Sequence, residues 1–354
     1  MTSQTCAYPT IAGRRISPDT APYIIAELSA NHMGDLNRAL EMVKAAADAG
    51  ADAVKLQTYD PDKITMNCES DDFQIKGGLW HGQSYHALYT DAMTPRDWHK
   101  PLFDYAAKLG VTMFSSPFDL SAVDFLETLN VPAYKIASFE LVDLELIKKA
   151  AATGKPIIMS TGLAVPEEIN DALEAARGAG AAEIMLLHCI SAYPAPADAA
   201  NLATINDMAK RYGVPIGLSD HTLTEAVPVA ATALGAQVIE KHFTLSRSDG
   251  GADAAFSLEP AEFKRMAEAV RIAHAAIGSV RYGPVDVEKR ELQSRRSLYI
   301  AADLPAGHKL KAADIACVRP GYGLKPKHLS DLVGAALVKS VKKGDATTWE
   351  MLGK

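Results

Sequence analysis

The sequence predicts an α/β protein that consists of a closed (β/α)8 barrel followed by a small β-rich domain. From Tyr23 onward, short β-branched runs alternate with alanine-rich helical segments, which is typical of a parallel sheet built from β-α-β units. Eight such runs occur, and eight is the strand number that closes a TIM barrel. Because periodicity alone does not prove closure, an open, doubly wound sheet is the competing topology.

The predicted strands are separated by segments with helical periodicity and stop signals. LNRALEMVKAAADAG ends at Gly50 and WHKPLFDYAAKLG ends at Gly110, and glycine commonly follows the last turn of a helix. We expect these helices to form the outer ring of the barrel. The strands are YIIAEL (23–28), AVKLQT (53–58), VTMFSS (111–116), AYKIAS (133–138), PIIMST (156–161), EIMLLH (183–188), PIGLSD (215–220) and QVIEKH (237–242).

One long insertion, residues 59–94, interrupts the regular alternation after the second strand. It contains Trp80, Tyr85 and Tyr89 within GGLWHGQSYHALYTDAM. Loops that follow the strands of such a barrel lie at the end where active sites form. The insertion is therefore expected on the rim of the site.

The chain is expected to divide into a barrel domain, a linker and a second domain. The barrel domain is assigned to residues 1–277, and the polar stretch 278–294 is interpreted as the linker. Residues 295–354 consist of short runs broken by turns, which indicates a small β-rich module. With about 60 residues and a marginal core, this module is too small to carry the chemistry alone.

Composition argues against polyanionic partners and membrane insertion. The net charge is -7 and the lysines and arginines are scattered, so no basic stripe favours nucleic acid or an anionic membrane. No apolar stretch approaches the ~20 residues that span a bilayer, and the start lacks the apolar core of a signal peptide. A cytoplasmic protein with reduced thiols is expected. The cysteines are far apart in the sequence, at Cys6, Cys68, Cys189 and Cys317.

Two lysines are predicted to point into the barrel. Lys55 and Gln57 alternate with apolar neighbours on the second strand, and Lys135 has the same position on the fourth. A buried ammonium without a partner costs several kcal/mol, so each lysine requires an anion. Internal pairing with Glu27, Glu140 or Glu240 is one possibility. The other is a clamp for a phosphate and a carboxylate, supported by the hydroxyls of Ser116, Ser138, Ser160 and Ser219.

Two histidines end neighbouring strands and form a candidate metal site. His221 follows GLSD and His242 ends IEKH, so their imidazoles can approach a common point. Two neutral imidazoles with open positions suit manganese, cobalt or magnesium better than a closed structural zinc site. Taken singly, each histidine would more often be a hydrogen-bonded core residue.

The motifs at the strand ends resemble those of the sialic acid synthases. AELSANHMGD, VKLQT, SSPFD, YKIASFE, MSTG, HCISAYPAP, GLSDHT and IEKHF match along nearly the whole chain, and the tail resembles the antifreeze-like SAF domain that closes these enzymes. Two loops, GGLWHGQSYHALYTDAMTP and LSRSDGGADAAFSLEP, resemble the pseudaminic acid branch. Ser191 stands where N-acetylneuraminate synthases usually carry Asn. Neuraminate, legionaminate and spore-coat polysaccharide synthesis therefore stay open as alternatives.

The resemblance implies a condensation of phosphoenolpyruvate with an acetamido sugar, 2,4-diacetamido-2,4,6-trideoxy-altrose, with release of phosphate. It implies that His221 and His242 hold a divalent metal, manganese or alternatively magnesium or cobalt. It also implies a homodimer with swapped SAF domains, in which Arg319 reaches the neighbouring barrel. The phosphoenolpyruvate-binding residues implied are Lys55, Ser116, Lys135, Ser138, Ser160, Ser191 and Ser219. The sugar-binding residues implied are Glu27, Gln57, Glu140, Tyr193, Asp253 and Arg319.

The predicted catalytic residues are Glu27, Lys55, Lys135 and Glu140. Lysines would stabilise developing negative charge, and one of the two glutamates would activate water. A carboxylate near two lysines is expected to stay ionised. A Schiff-base aldolase that uses Lys135 is a rival enzyme class. A non-catalytic glycan-binding protein is a rival of another kind, although such a protein would not need buried lysines.

Overall fold

The computed structural model describes residues 8–354, so Cys6 lies outside it. Within these residues the chain forms two compact units, one that ends at Gly278 and one that spans Ser279–Lys354. Most of the segment 278–294, interpreted above as a linker, is grouped with the second unit. Its residues Asp286–Ser294 form a 3-10 helix there.

The first unit contains the predicted barrel. A short antiparallel pair, β1 (Thr10–Ile11) and β2 (Arg14–Arg15), precedes it. In the described part of the chain, eight parallel strands follow and close on themselves, because the last strand pairs with both its predecessor and the first. The open-sheet alternative is therefore wrong. The barrel strands are β3 (Tyr23–Glu27), β4 (Ala53–Thr58), β5 (Thr112–Pro117), β6 (Tyr134–Ile136), β7 (Ile157–Ser160), β8 (Ile184–Cys189), β9 (Ile216–Asp220) and β10 (Val238–His242).

Helices alternate with these strands and cover the outside of the barrel. Gly110 directly follows α4 (Arg96–Leu109), as the sequence predicts. It adopts φ 71°, a left-handed conformation that suits glycine. Within residues 8–354, no helix has the length and apolar character that crossing a bilayer requires. The helices are α1 (Leu36–Asp48), α2 (Pro61–Ile64), α3 (Tyr85–Ala92), α4 (Arg96–Leu109), α5 (Leu120–Thr128), α6 (Leu144–Ala151), α7 (Pro166–Gly178), α8 (Ala203–Tyr212), α9 (Ala226–Ala233) and α10 (Pro260–Ile277).

The barrel interior has an apolar layer and a polar layer, because side chains alternate between the two faces of each strand. Ile11 of β1 and Ile16, directly after β2, pack into the apolar layer, a contact that the sequence did not predict. The polar layer follows toward the carboxyl ends of the strands and carries the buried Lys55, Lys135 and Glu240. The apolar layer consists of Ile11, Ile16, Tyr23, Ile25, Ala53, Phe114, Ala133, Ile158, Met185, Leu187 and Val238.

The second unit has its own small core. Strands β11 (Ser297–Ile300) and β12 (Ile315–Val318) pair antiparallel, and a short helix α11 spans Leu329–Leu332. Isolated bridges, such as Leu304 with Val341, extend the pairing. This agrees with the predicted β-rich module. Its core residues are Leu298, Ile300, Leu304, Leu310, Ile315, Leu332, Leu337, Val341 and Met351.

A buried ion pair ties β9 to β10. Lys241 and Asp220 are opposite each other in the register, and both are almost fully buried. The Lys241 ammonium donates to the Asp220 carboxylate and to the Thr222 carbonyl oxygen. Asp220 also accepts hydrogen bonds from the backbone N–H and hydroxyl of Thr222. The Asp220 carboxylate therefore stabilises the fold through these contacts.

We expect Lys241→Ala to destabilise the barrel by about 3–5 kcal/mol, because the Asp220 carboxylate would be left buried without a counterion. Urea unfolding followed by far-ultraviolet circular dichroism measures this difference. Lys100→Ala is the matched control, since Lys100 forms an exposed pair with Asp104 on α4 and should change stability little. Equal midpoints for the two variants would contradict the assigned role of Lys241.

Candidate active site

A cavity of about 580 Å³ lies at the carboxyl ends of the barrel strands. Residues at the carboxyl ends of the strands and residues of the 59–94 insertion both line it. Ser116 is not part of the lining, but its hydroxyl accepts a hydrogen bond from the Lys55 ammonium. Thirteen of the predicted site residues line the cavity, namely Glu27, Lys55, Gln57, Lys135, Ser138, Glu140, Ser160, Ser191, Tyr193, Ser219, His221, His242 and Asp253.

The two inward lysines are paired with two carboxylates. Lys55 Nζ lies 2.6 Å from Glu27 Oε2, and Lys135 Nζ lies 3.1 Å from Glu240 Oε1. Glu240 Oε1 is also 3.6 Å from Lys55 Nζ, so it stands between the two ammonium groups. Of the possibilities left open by the sequence, internal pairing is thus present. The charge balance does not by itself require a bound anion.

Glu240 lies at the centre of this charged cluster, although the sequence predicted it only as a possible partner of the lysines and not as a site residue. Glu240 and His242 are two positions apart on β10, so their side chains point to the same face of the strand. This spacing is the sequence signal that could have identified Glu240 as a site residue. Burial disfavours its charged form, but Lys135 and Lys55 outweigh that effect and lower its pKa. Glu240 is therefore held as an anion between two cations.

The two lysines differ in their electrostatic environment. Burial disfavours the ammonium of Lys55, but Glu240 and Glu27 more than compensate, and the pKa of Lys55 is raised. Burial dominates at Lys135, where Glu240 compensates only in part and Lys55 adds repulsion, so the pKa of Lys135 is lowered. Lys135 is therefore the more readily deprotonated of the two.

Serine hydroxyls surround this charged cluster. Lys55 Nζ donates to Ser116 Oγ at 3.1 Å, and Ser219 Oγ donates to Glu240 Oε1 at 3.3 Å. Ser160 Oγ is buried and has no hydrogen-bond partner among the described residues. A buried hydroxyl without a partner is costly, so Ser160 is available to a ligand in the cavity.

Gly162 allows two further serines to approach one another. Its backbone N–H donates to Ser138 Oγ at 3.1 Å. A Cβ at position 162 would lie 2.2 Å from Ser191 Oγ and 2.7 Å from Ser138 Oγ, so only glycine fits there. Gly162 was not predicted as a site residue, although it follows Ser160 and Thr161 in the MSTG motif.

The two predicted metal ligands lie side by side. The ring centroids of His221 and His242 are 5.2 Å apart. His221 Nδ1 lies 2.9 Å from the Ile190 carbonyl oxygen, which leaves its Nε2 for another partner. His242 Nδ1 is buried without a hydrogen-bond partner in the described structure. Burial, with nearby His221 and the lysines, holds the pKa of His242 well below its usual range, so this imidazole is neutral.

These imidazoles fit a divalent cation that keeps open positions. Neutral imidazole nitrogen is the form that ligates metals, and one such nitrogen is orphaned here. Among residues 8–354, no cluster of three or more His, Cys, Asp or Glu side chains is arranged to hold a metal. The protein would therefore supply two ligands, and the remaining positions would be left to water or substrate oxygens.

The carboxyl groups near the cavity mouth do not all stay ionised. Glu27 accepts a hydrogen bond from Gln57 Nε2 at 2.9 Å as well as pairing with Lys55. Burial raises the pKa of Glu140 to about 7, and the two lysines offset this only in part. Glu140 is therefore less readily ionised than the sequence predicts for a carboxylate near two lysines. Burial, with repulsion from Glu27, likewise raises the pKa of Asp253 to about 7.

Aromatic rings flank the imidazoles on the outer side. The Tyr193 ring lies 4.6 Å from that of His221 and 5.0 Å from that of Phe256. Phe256 also packs 4.9 Å from His242. Phe256 was missed because nothing in its local sequence pattern marks it. It holds both imidazoles through ring contacts that only the folded chain brings about.

Arg319 is the predicted site residue that lies outside the first unit. It follows β12 in the second unit and is exposed. Its contact with a neighbouring barrel stays a prediction.

Comparisons with known proteins identify the family of each part of the chain. Residues 42–282 match the NeuB family, and residues 295–353 match the SAF domain. The chain is 46% identical over 323 residues to pseudaminic acid synthase of Helicobacter pylori, an alignment that spans 91% of this chain and 95% of that protein. It is 43% identical over 331 residues to pseudaminic acid synthase of Campylobacter jejuni, spanning 93% and 96% of the two chains.

A solved structure shows the same architecture. The crystal structure of N-acetylneuraminic acid synthetase from Leptospira borgpetersenii superposes with a TM-score of 0.71 at 31% identity, covering 80% of this chain and 94% of that chain. The sequence relatives and the solved structure point to the same group of enzymes. The chain belongs to the NeuB family of sugar-acid synthases, enzymes that form a carbon–carbon bond.

Proposed function

We propose that this enzyme is a pseudaminic acid synthase, which condenses phosphoenolpyruvate with 2,4-diacetamido-2,4,6-trideoxy-altrose and releases phosphate. The observation that carries the proposal is the shared cavity in which Lys55, Lys135, His221 and His242 meet. The identity of 43–46% to named pseudaminic acid synthases favours this branch over neuraminate, legionaminate or spore-coat polysaccharide synthesis. Because the NeuB family consists of enzymes, the family match argues against a purely glycan-binding role.

Phosphoenolpyruvate would bind to the lysines and serines at the base of the cavity. An ammonium group has three N–H donors. By the contacts described in residues 8–354, Lys135 uses one of them on Glu240, and Lys55 uses two, on Glu27 and Ser116. The remaining donors, with the free Ser160 hydroxyl, can bind phosphate and carboxylate oxygens. Ser138, Ser191 and Ser219 complete the proposed set.

The NeuB family synthases generally depend on a metal ion. We assign His221 and His242 as the residues that would hold it, and manganese as the ion, with magnesium or cobalt as alternatives. A bound divalent ion would polarise the aldehyde oxygen of the sugar as a Lewis acid. Phe256 and the Ile190 carbonyl would keep the two imidazoles oriented for that role.

The sugar would lie above the lysines, against the carboxyl groups and Tyr193. Glu27 and Gln57 are joined by a hydrogen bond and present one polar edge. Because the pKa of Glu140 is raised to about 7, Glu140 can both accept and return a proton near neutral pH. We therefore assign water activation to Glu140 and the positioning of Lys55 to Glu27. Asp253 would contact the sugar from the opposite loop.

The proposed reaction forms a carbon–carbon bond and a carbon–oxygen bond from water, and it breaks the carbon–oxygen bond to phosphate. The methylene carbon of phosphoenolpyruvate attacks the aldehyde carbon of the open-chain sugar, and the aldehyde oxygen takes up a proton. Water then adds to the carbon that carries the phosphate. Cleavage of the carbon–oxygen bond releases phosphate and leaves the keto acid. Lys55 and Lys135 stabilise the negative charge throughout.

We further propose a cytoplasmic homodimer in which SAF domains are exchanged. The family acts on small-molecule substrates, and the SAF match covers residues 295–353 of the second unit, which spans Ser279–Lys354. Arg319 of that unit is exposed, so its guanidinium is free to reach a partner's barrel. A closed, twofold arrangement of this kind is common among homo-oligomers.

The substrate assignment predicts phosphate release that depends on the sugar. With phosphoenolpyruvate, we expect the diacetamido-trideoxy-altrose to give a kcat/KM at least ~100-fold above those of N-acetylmannosamine and the diacetamido-trideoxy-mannose, because closely fitted sites discriminate on this scale. A continuous phosphate assay with manganese measures all three. A higher value for either competing sugar would contradict the assignment.

The proposed role of Lys135 predicts a large loss of activity in a variant that still folds, because Lys55 remains 3.6 Å from Glu240 as a counterion. Lys135→Ala should lower kcat by more than ~100-fold, because it removes donors to the developing charge. Lys100→Ala, at an exposed lysine, should leave kcat unchanged. Steady-state kinetics and a circular dichroism spectrum are compared for the two. Retention of kcat within tenfold of wild type would exclude the assigned role.

Domain exchange predicts complementation between two inactive variants. Lys135→Ala disables the barrel, and Arg319→Ala should disable the tail that reaches the partner's barrel. Co-expressed, they should regain roughly a quarter of wild-type activity, because half of the dimers are mixed and each has one intact site. Activity that stays at the level of the single variants would show that each SAF domain serves its own barrel.

A further inference from the structure

The cavity has two chemically different ends. Its inner end is formed by the lysines, carboxylates and imidazoles at the strand ends. Its outer side is formed by the 59–94 insertion, which contributes mainly carbon surface. We name this surface the aromatic wall and define it as Tyr59, Leu79, Trp80, Tyr85 and Tyr89, all of which line the cavity.

The rings of the aromatic wall pack against each other. The Tyr59 and Tyr89 centroids are 5.7 Å apart, and Tyr85 stacks on Tyr89 at 6.2 Å. The Tyr59 hydroxyl donates to the backbone oxygen of Tyr89 at 3.3 Å, so its polar atom is used within the wall. Burial raises the pKa of Tyr89 to about 12, which reflects the low polarity of these surroundings.

Part of this wall is not covered by other residues of the protein. Leu79 is 50% exposed and Tyr85 is 37% exposed, although both line the cavity. Large apolar side chains left open inside a binding cavity are suited to contact apolar groups of a ligand. The wall is therefore available to a substrate and is not simply part of the protein core.

Trp80 attaches the wall to the loop that follows β10. Its indole N–H donates to the Ala252 backbone oxygen at 3.2 Å, next to Asp253. The Trp80 ring also lies 6.2 Å from the Tyr193 ring. These contacts join the insertion to Tyr193, which is proposed to touch the sugar, and to the residue before Asp253. Trp80 thus connects the wall to the loop after β10.

We propose that the aromatic wall determines sugar specificity by holding the methyl-bearing end of a 6-deoxy, diacetamido sugar. The C6 methyl and an acetamido methyl pack on Leu79 and the ring faces, while the aldehyde end points to the inner residues. A hydroxyl at C6 would face the Leu79 side chain and the ring faces, which offer it no conventional hydrogen bond. This inference rests on the proposed function, since it concerns the second substrate of the same site.

The experiment compares two sugars that differ only at C6, the diacetamido-trideoxy-altrose and its analogue with a C6 hydroxyl. The ratio of their kcat/KM values is measured for wild type, Leu79→Gln and Trp80→Ala. We expect wild type to prefer the 6-deoxy sugar by roughly 10- to 100-fold, the range an apolar pocket provides. Each variant should lower that ratio at least ~5-fold while the KM for phosphoenolpyruvate stays within ~2-fold.

Leu120→Gln is the matched control. Leu120 is 46% exposed at the start of the helix after β5, but it does not line the cavity. Its variant should keep the wild-type ratio. Because Leu79 is half exposed, Leu79→Gln should fold normally, and thermal melts of all variants check this.

Distinct outcomes separate this inference from the proposed function. Equal kcat/KM for the two sugars in wild type, or an unchanged ratio in both wall variants, would overturn the role of the wall while phosphate release from the 6-deoxy sugar still supports the synthase. No phosphate release from phosphoenolpyruvate with any amino sugar would overturn the proposed function, and the inference with it.

Discussion

The active site depends on the burial of two ammonium groups and two carboxylates inside one barrel. Lys55 and Lys135 are 3% and 2% exposed, and Glu240 lies between them, so each charge is stable only because the others are present. Glu27 completes the balance from β3. Such a cluster fixes the ammonium groups in position before any ligand arrives. Preorganised charge of this kind stabilises anions without reorganisation during the reaction.

The layered interior explains why the charges occupy only one end of the barrel. Alternating side chains fill the lower layer with apolar groups, to which Ile11 and Ile16 add. Because water is excluded from that layer, the polar residues above it interact strongly. The same burial raises the pKa of Glu140 to about 7, which makes proton exchange near neutral pH compatible with a site rich in lysine. Burial therefore contributes both to the fixed positions of the lysine ammonium groups and to the raised pKa of Glu140.

The loops add what the strands do not provide. Strand ends supply the charged groups common to the reaction, whereas the 59–94 insertion supplies Trp80 and its neighbouring rings. Barrel enzymes often vary their chemistry and specificity through such loops. A hydrogen bond from the Trp80 indole N–H to the Ala252 backbone oxygen connects the insertion to the loop after β10. The selectivity of the site would then be set independently of its catalytic charges.

The sequence by itself determined the strands, their inward residues and the adjacency of His221 and His242, because side-chain alternation and strand order are local or follow from chain order. It also predicted Lys55 and Lys135 inside the barrel. Only the tertiary structure decided that Lys135 pairs with Glu240, 105 residues away, and that Glu140 has a raised pKa. Pairing partners and burial depend on distances between remote segments. Those distances are set when the barrel closes, and no local pattern in the chain encodes them.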